Sequence, residues 1–142
     1  MKETGKRYVD EIISIARNMR IDFTHNEIIW HSGEEQFSIS TPTRPGSKRK
    51  LAKGYFWIRY LNNTIEFWLP KNADLEELSW RIGLRIDYAP LTHKTGGAEN
   101  LVLSTAPLEE LDLTNGTHRD FIAYVIDART SSKKSLTTIK EG

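Results

Sequence analysis

The chain contains no cysteine among its 142 residues. Disulfide bonds, thiolate metal sites and cysteine nucleophiles are therefore excluded, and the absence favours a reducing, cytoplasmic location. The first 20 residues lack the apolar run of a secretion signal, because Asp10, Glu11 and Arg17 interrupt them. No other stretch of the sequence is apolar over the length that a bilayer requires. We therefore expect no membrane contact.

Signatures of nucleotide-binding or hydrolytic chemistry are also missing from the sequence. Gly96 and Gly97 follow Thr95 without the lysine and serine of a phosphate-binding loop, and no serine or threonine nucleophile elbow is present. Lysine and arginine total 20 against 19 acids, so the overall charge does not indicate a polyanionic partner. We expect no cofactor, and any sign of a ligand must come from how charged and aromatic residues are distributed.

Hydrophobic periodicity predicts an α+β fold with two-layer packing. Apolar positions recur at helical spacing over residues 5–20, and two segments, 26–41 and 54–70, alternate as β-hairpins. The prediction is an N-terminal helix, an antiparallel meander of about four strands, then mixed helices and one or two further strands. It places one domain at 1–129 and a flexible basic tail at 130–142.

Start and stop signals refine the later helices. Asn72 is predicted to cap a helix that Gly83 ends, and Thr117 with Asp120 resembles a capping box for the last helix. In the first hairpin, one register pairs Trp30 with Phe37 and Ile28 with Ile39 on a single apolar face.

The stretch "GYFWIRYLNNTIEFWLP", residues 54–70, predicts which aromatic rings form the core. A two-residue turn at Asn62 and Asn63 pairs Trp57 with Trp68. The core face of this hairpin is then Phe56, Ile58, Tyr60, Ile65, Phe67 and Leu69. The opposite face holds Tyr55, Trp57, Arg59, Glu66 and Trp68, which the core does not require.

The loop between the hairpins, "PTRPGSKRKLAKG", is strongly basic and contains no acid. Its cations are Arg44, Lys48, Arg49, Lys50 and Lys53. Exposed aromatic rings stack on bases, and flexible cations neutralise phosphates, so this combination predicts binding of single-stranded or structured nucleic acid. The stacking residues would be Tyr55, Trp57 and Trp68. Arg59 would contact a base or phosphate, supported by Glu66, and hydrogen bonds at the edge would come from His31, Ser38 and Ser40.

Three alternatives remain open at this stage. A later helix with Leu75, Leu78 and Ile82 would, if it covered the second sheet face, make both tryptophans a second core. The same Trp, Tyr and Arg face would also suit a protein partner or a homodimer. The third alternative is a small metal-dependent phosphodiesterase that uses Glu66, although no catalytic residue is assigned.

A histidine metal site is not expected. His25, Glu27 and His31 alternate on one strand. Positions six apart on a strand lie about 20 Å apart, too far to share an ion.

Overall fold

The structure is a computed structural model that describes residues 2–29, 35–41, 54–59, 63–89 and 100–131. These ranges contain three α-helices, six strands and a 3₁₀ turn at Leu108–Glu110. In chain order the elements are α1 (Lys2–Asn18), β1 (Thr24–Ile29), β2 (Glu35–Ser40), β3 (Gly54–Arg59), β4 (Thr64–Pro70), α2 (Leu75–Ile82), β5 (Asp87–Tyr88), β6 (Leu101–Pro107) and α3 (Gly116–Ser131). The predicted α+β class and the leading helix are confirmed.

The strands of the described ranges form one antiparallel sheet in the order β1-β2-β3-β4-β6-β5. The first four strands are the predicted meander. The chain then passes through α2 and returns, so that β6 pairs with β4 and the two-residue β5 lies beyond it. None of the helices in the part of the chain described here is long and apolar enough to cross a membrane.

The main core lies between one face of this sheet and the three helices. The apolar stripe of α1 places Val9, Ile12 and Ala16 fully inside it. From α3, Phe121 meets Phe67 edge-on, with ring centroids 5.5 Å apart. The predicted core face of the second hairpin is confirmed at Phe56, Ile58, Ile65, Phe67 and Leu69, each at most 1% exposed. Tyr60 lies outside the described residues.

The predicted register of the first hairpin is wrong by three residues. Ile28 lies opposite Gln36, and Glu27 lies opposite Phe37. The predicted pairing of Ile28 with Ile39 is therefore wrong, since His25 lies opposite Ile39. The prediction failed because Ile28, Ile29 and Trp30 are consecutive apolar residues, and alternation alone does not choose among them.

The register of the second hairpin is wrong by two residues, which preserves the faces. Trp57 lies opposite Glu66 rather than Trp68, and β3 ends at Arg59, opposite Thr64. Residues 60–62, which include part of the predicted turn, lie outside the described residues. Asn63 has a φ of 56°, a left-handed conformation that asparagine tolerates. Because the shift is even, each residue keeps its predicted side of the sheet unless the strand is irregular.

The helix boundaries are set by short-range caps. Gly83 ends α2 with a φ of 75°, as predicted, but the N-cap is Asp74 rather than Asn72, and its carboxylate accepts the N–H of Glu77. Asn115, not Thr117, caps α3, since its side-chain oxygen accepts the Thr117 N–H at 2.9 Å.

The carboxyl-terminal end of α3 extends beyond the predicted domain limit. The helix continues to Ser131, two residues into the segment predicted as a tail. The Thr130 hydroxyl lies 2.9 Å from the hydroxyl of Tyr55, so Thr130 packs against the domain. The rest of the predicted tail, residues 132–142, lies outside the described residues.

His118 joins three segments beneath the surface. It is 4% exposed, and its Nδ1 accepts the N–H of Asp112 at 2.9 Å. That bond leaves the ring proton on Nε2, which donates to the carbonyl of Ile82 at 3.1 Å. Ile82 is the last residue of α2, where carbonyls have no partner within the helix, so the imidazole caps α2 from α3.

We predict that His118→Leu lowers the free energy of unfolding by about 1–3 kcal/mol, because two partly buried hydrogen bonds to backbone groups are lost. Urea denaturation would measure the change. The matched control is His25→Leu at an exposed position, which should alter stability by less than about 0.5 kcal/mol. Equal effects of the two substitutions would contradict the capping role.

Candidate nucleic-acid interface

A β-bulge at the start of β3 determines where Tyr55 lies. Ser40 is opposite Gly54 and Ile39 is opposite Phe56, so Tyr55 is an extra residue without a partner across the ladder. Its side chain joins the main core, 2% exposed, with its ring centroid 4.6 Å from that of Phe23. The expectation that Tyr55 lies on the open face is therefore wrong, because the bulge breaks the alternation of the strand.

Trp68 is buried as well, and the residues that bury it belong to the sheet or follow it directly. It is 6% exposed and packs in a second, smaller cluster with Ala89, Leu101 and Leu103. Leu103 lies directly opposite Trp68 because β6 pairs with β4. The predicted exposure of Trp68 is wrong for this reason.

The helix α2 does not provide the cover that was considered for the second face. Leu78 belongs to the main core on the other side of the sheet, and Leu75 and Ile82 pack against that same core. The second face thus has its own apolar cluster, assembled by β4, β6 and the residue that follows β5.

Trp57 is the partly buried ring of this second cluster. It meets Trp68 edge-on, with centroids 6.5 Å apart and ring planes at 69°. Its indole lies over Gly54: a Cβ added to that glycine would be only 2.7 Å from Cζ2 of Trp57. The ring is therefore directed towards the beginning of β3, the end of the sheet from which residues 41–53 depart.

The polar side chains around Trp57 include the predicted ion pair. Arg59 Nη2 lies 3.5 Å from Glu66 Oε1, a diagonal contact, since Arg59 faces Thr64 across the ladder. Ser38 is directly opposite Trp57, and it is partly buried, as is Ser40. These residues share one sheet face, as expected. His31 and the loop cations Arg44, Lys48, Arg49, Lys50 and Lys53 lie outside the described residues.

Arg129 is a component of this site that the sequence did not indicate. Its guanidinium carbon lies 5.1 Å from the centroid of the Trp68 ring, and its Nε donates to the carbonyl of Gly54 at 3.0 Å. Burial lowers the pKa of Arg129, and the neighbouring Tyr55 acts in the opposite direction. An arginine remains charged at neutral pH even so. The sequence could not identify Arg129 as part of this site, because a cation in the last turn of a helix is common.

The indole N–H of Trp68 is buried without a hydrogen-bond acceptor in the part of the chain described here. An unpaired buried donor costs about 1–3 kcal/mol. A water molecule or a ligand oxygen at this position would relieve that cost. The second face therefore combines a ring, cations and one unused donor.

Within the described ranges, no three His, Asp or Glu side chains lie close enough together to hold a metal ion. Glu66 is engaged with Arg59, and both nitrogens of His118 are occupied by backbone groups.

Comparison with models of known protein families, with curated proteins and with solved structures finds no match to this chain.

We predict that the tryptophans differ sharply in their accessibility to acrylamide. Trp80 is 85% exposed, Trp57 is partly buried and Trp68 is 6% exposed. Among these three, in single Trp→Phe variants, loss of Trp80 should therefore reduce the quenchable fluorescence most, and loss of Trp68 least. If removing Trp68 had the larger effect, the second cluster would not be closed as described.

We predict that Gly54→Ala displaces the Trp57 ring, because the new methyl group would overlap the edge of the indole. The loss of the edge-to-face contact should destabilise the fold by about 0.5–1.5 kcal/mol and change the tryptophan signal in circular dichroism. Gly116→Ala is the control, since a Cβ there meets nothing within 4 Å. An unchanged spectrum in Gly54→Ala would contradict the placement of Trp57.

Proposed function

We propose that this protein is a small intracellular module that binds single-stranded or structured nucleic acid. Trp57 is the stacking ring, and the basic segment with Arg44, Lys48, Arg49, Lys50 and Lys53 contacts phosphates. The observation that carries the proposal is the contact of Trp57 with Gly54, which holds the ring at the end of the sheet where that segment begins and ends.

The proposal differs from the sequence-based hypothesis in the number of stacking rings. Tyr55 and Trp68 are buried and do not offer their faces to a base. Trp68 instead supports Trp57 edge-on, and Arg129 adds a positive charge beneath the ring pair. One partly buried ring contributes at most about 1–3 kcal/mol of stacking, so most of the affinity must be electrostatic.

Arg59 has a different role from the loop cations. Its contact with Glu66 fixes the guanidinium beside Trp57 and offsets part of its charge. Such a residue orients a base or a phosphate more than it adds general attraction. Ser38, opposite Trp57, provides a hydroxyl on the same face.

A protein partner at this same face receives less support. With Tyr55 and Trp68 buried, the described part of the face presents Trp57 and charged or hydroxyl groups, and this part has no wide apolar centre of the kind that protein interfaces need. A homodimer through this face would be revealed by a doubled mass in sedimentation.

We predict that Lys48→Ala/Arg49→Ala/Lys50→Ala weakens binding to fluorescein-labelled dT20 and U20 and lowers the slope of log K against log salt by about 2. Trp57→Ala should weaken binding about 5- to 150-fold and leave that slope unchanged, because stacking releases no counterions. Fluorescence anisotropy at several salt concentrations would measure both effects.

The matched control is Lys6→Ala/Arg7→Ala/Arg17→Ala. It removes three exposed cations of α1 and therefore changes the net charge equally. The control should retain most of the affinity. Equal losses of affinity in the two triple variants would mean that binding is only general charge attraction. Absence of binding by the unchanged protein at low salt would refute the proposal.

A further inference from the structure

A second surface, on the helical side of the molecule, has the features of a peptide-binding site. A groove of about 360 Å³ runs between α2 and α3. Its apolar lining includes Leu78 and Phe121, both buried in the main core, together with Ile82. Tyr124 forms one bank and is 43% exposed. The groove thus borders the main core without opening it to solvent.

Trp80 belongs to α2, the helix that forms one side of this groove, and is almost entirely in solvent. At 85% exposure it is the most exposed of the large hydrophobic residues described. It belongs to neither cluster of buried side chains. It follows Glu77 by three positions on α2, so the two residues are neighbours on the helix surface. Tryptophan is the residue most enriched at the energetic centres of protein interfaces.

The groove is acidic. Asp74, Glu77 and Asp120 line it, and among the described residues of its lining Arg81 is the only cation. Asp74 is held in place as the N-cap of α2. This charge repels phosphates, so the groove is not a continuation of the nucleic-acid site, which lies on the opposite face of the sheet. It attracts lysine and arginine.

We infer that the α2–α3 groove binds a basic segment of a partner protein, with a bulky apolar side chain in the groove and flanking lysine or arginine residues near Glu77 and Asp120. A small molecule confined to the groove would not contact Trp80, which lies outside its lining. A peptide crossing the rim at Glu77 and Arg81 would cover the Trp80 ring. A peptide would therefore use both the acidic groove and the exposed Trp80 ring, whereas a small molecule in the groove would use only the first.

The test is selection of a phage-displayed library of random 12-residue peptides on the full chain, followed by titration of the enriched peptides by fluorescence anisotropy. The expected peptides share one large apolar residue flanked by lysine or arginine. Trp80→Ala and Asp120→Lys should each weaken them at least about tenfold. Both positions are exposed, so thermal unfolding of the variants should be unchanged.

The control variant is Asp10→Lys, which makes the same charge reversal at an exposed position of α1 and should bind the peptides nearly as well as the unchanged protein. Enrichment of acidic peptides, failure to enrich any, or equal binding by Trp80→Ala would overturn the inference. So would a concentration-dependent dimer that Trp80→Ala dissolves, because the occupant would then be a second copy of this chain.

Discussion

The bulge between β2 and β3 is the constraint on which the second face depends. By inserting Tyr55 as an extra residue, it turns that ring into the main core and puts Gly54 opposite Ser40. The small residue at position 54 leaves room for the Trp57 indole, and its carbonyl accepts Arg129. A regular strand would place the Tyr55 side chain on the second face, beside Trp68. The site therefore follows from one irregular backbone position.

Local patterns predicted much of the fold because they act over a few residues. Alternation identified the buried side of β3 and β4 even though the register was wrong, since an even shift preserves faces. Gly83 was recognisable as a helix stop because few residues adopt its conformation. Tyr55 and Trp68 could not be placed in this way. Their burial depends on a bulge and on the pairing of β6 with β4, which brings Leu103 from a distant part of the sequence.

The chain's nearly balanced charge conceals a separation between two surfaces. The sheet end near Trp57 is where the cationic segment leaves β2 and enters β3, and Arg129 lies there too, whereas the described lining of the groove between α2 and α3 has three acids and one cation. The sheet and its main core separate the two surfaces. Ligands of opposite charge would therefore bind with little direct competition. If both proposals are correct, a protein of net charge +1 would bind a polyanion on one face and a basic peptide on the other.

Because Trp68 is buried against it, Trp57 is better suited than a free ring to contact the proposed ligand. A solvent-exposed side chain loses rotamer freedom when it binds, and this loss weakens the complex. Trp57 already rests edge-on against Trp68 and over Gly54, so much of its freedom is lost before any ligand arrives. Two rings standing free in solvent would both have to be ordered on binding. One ring held by a buried second ring needs less ordering, and its position relative to Arg59 is set in advance.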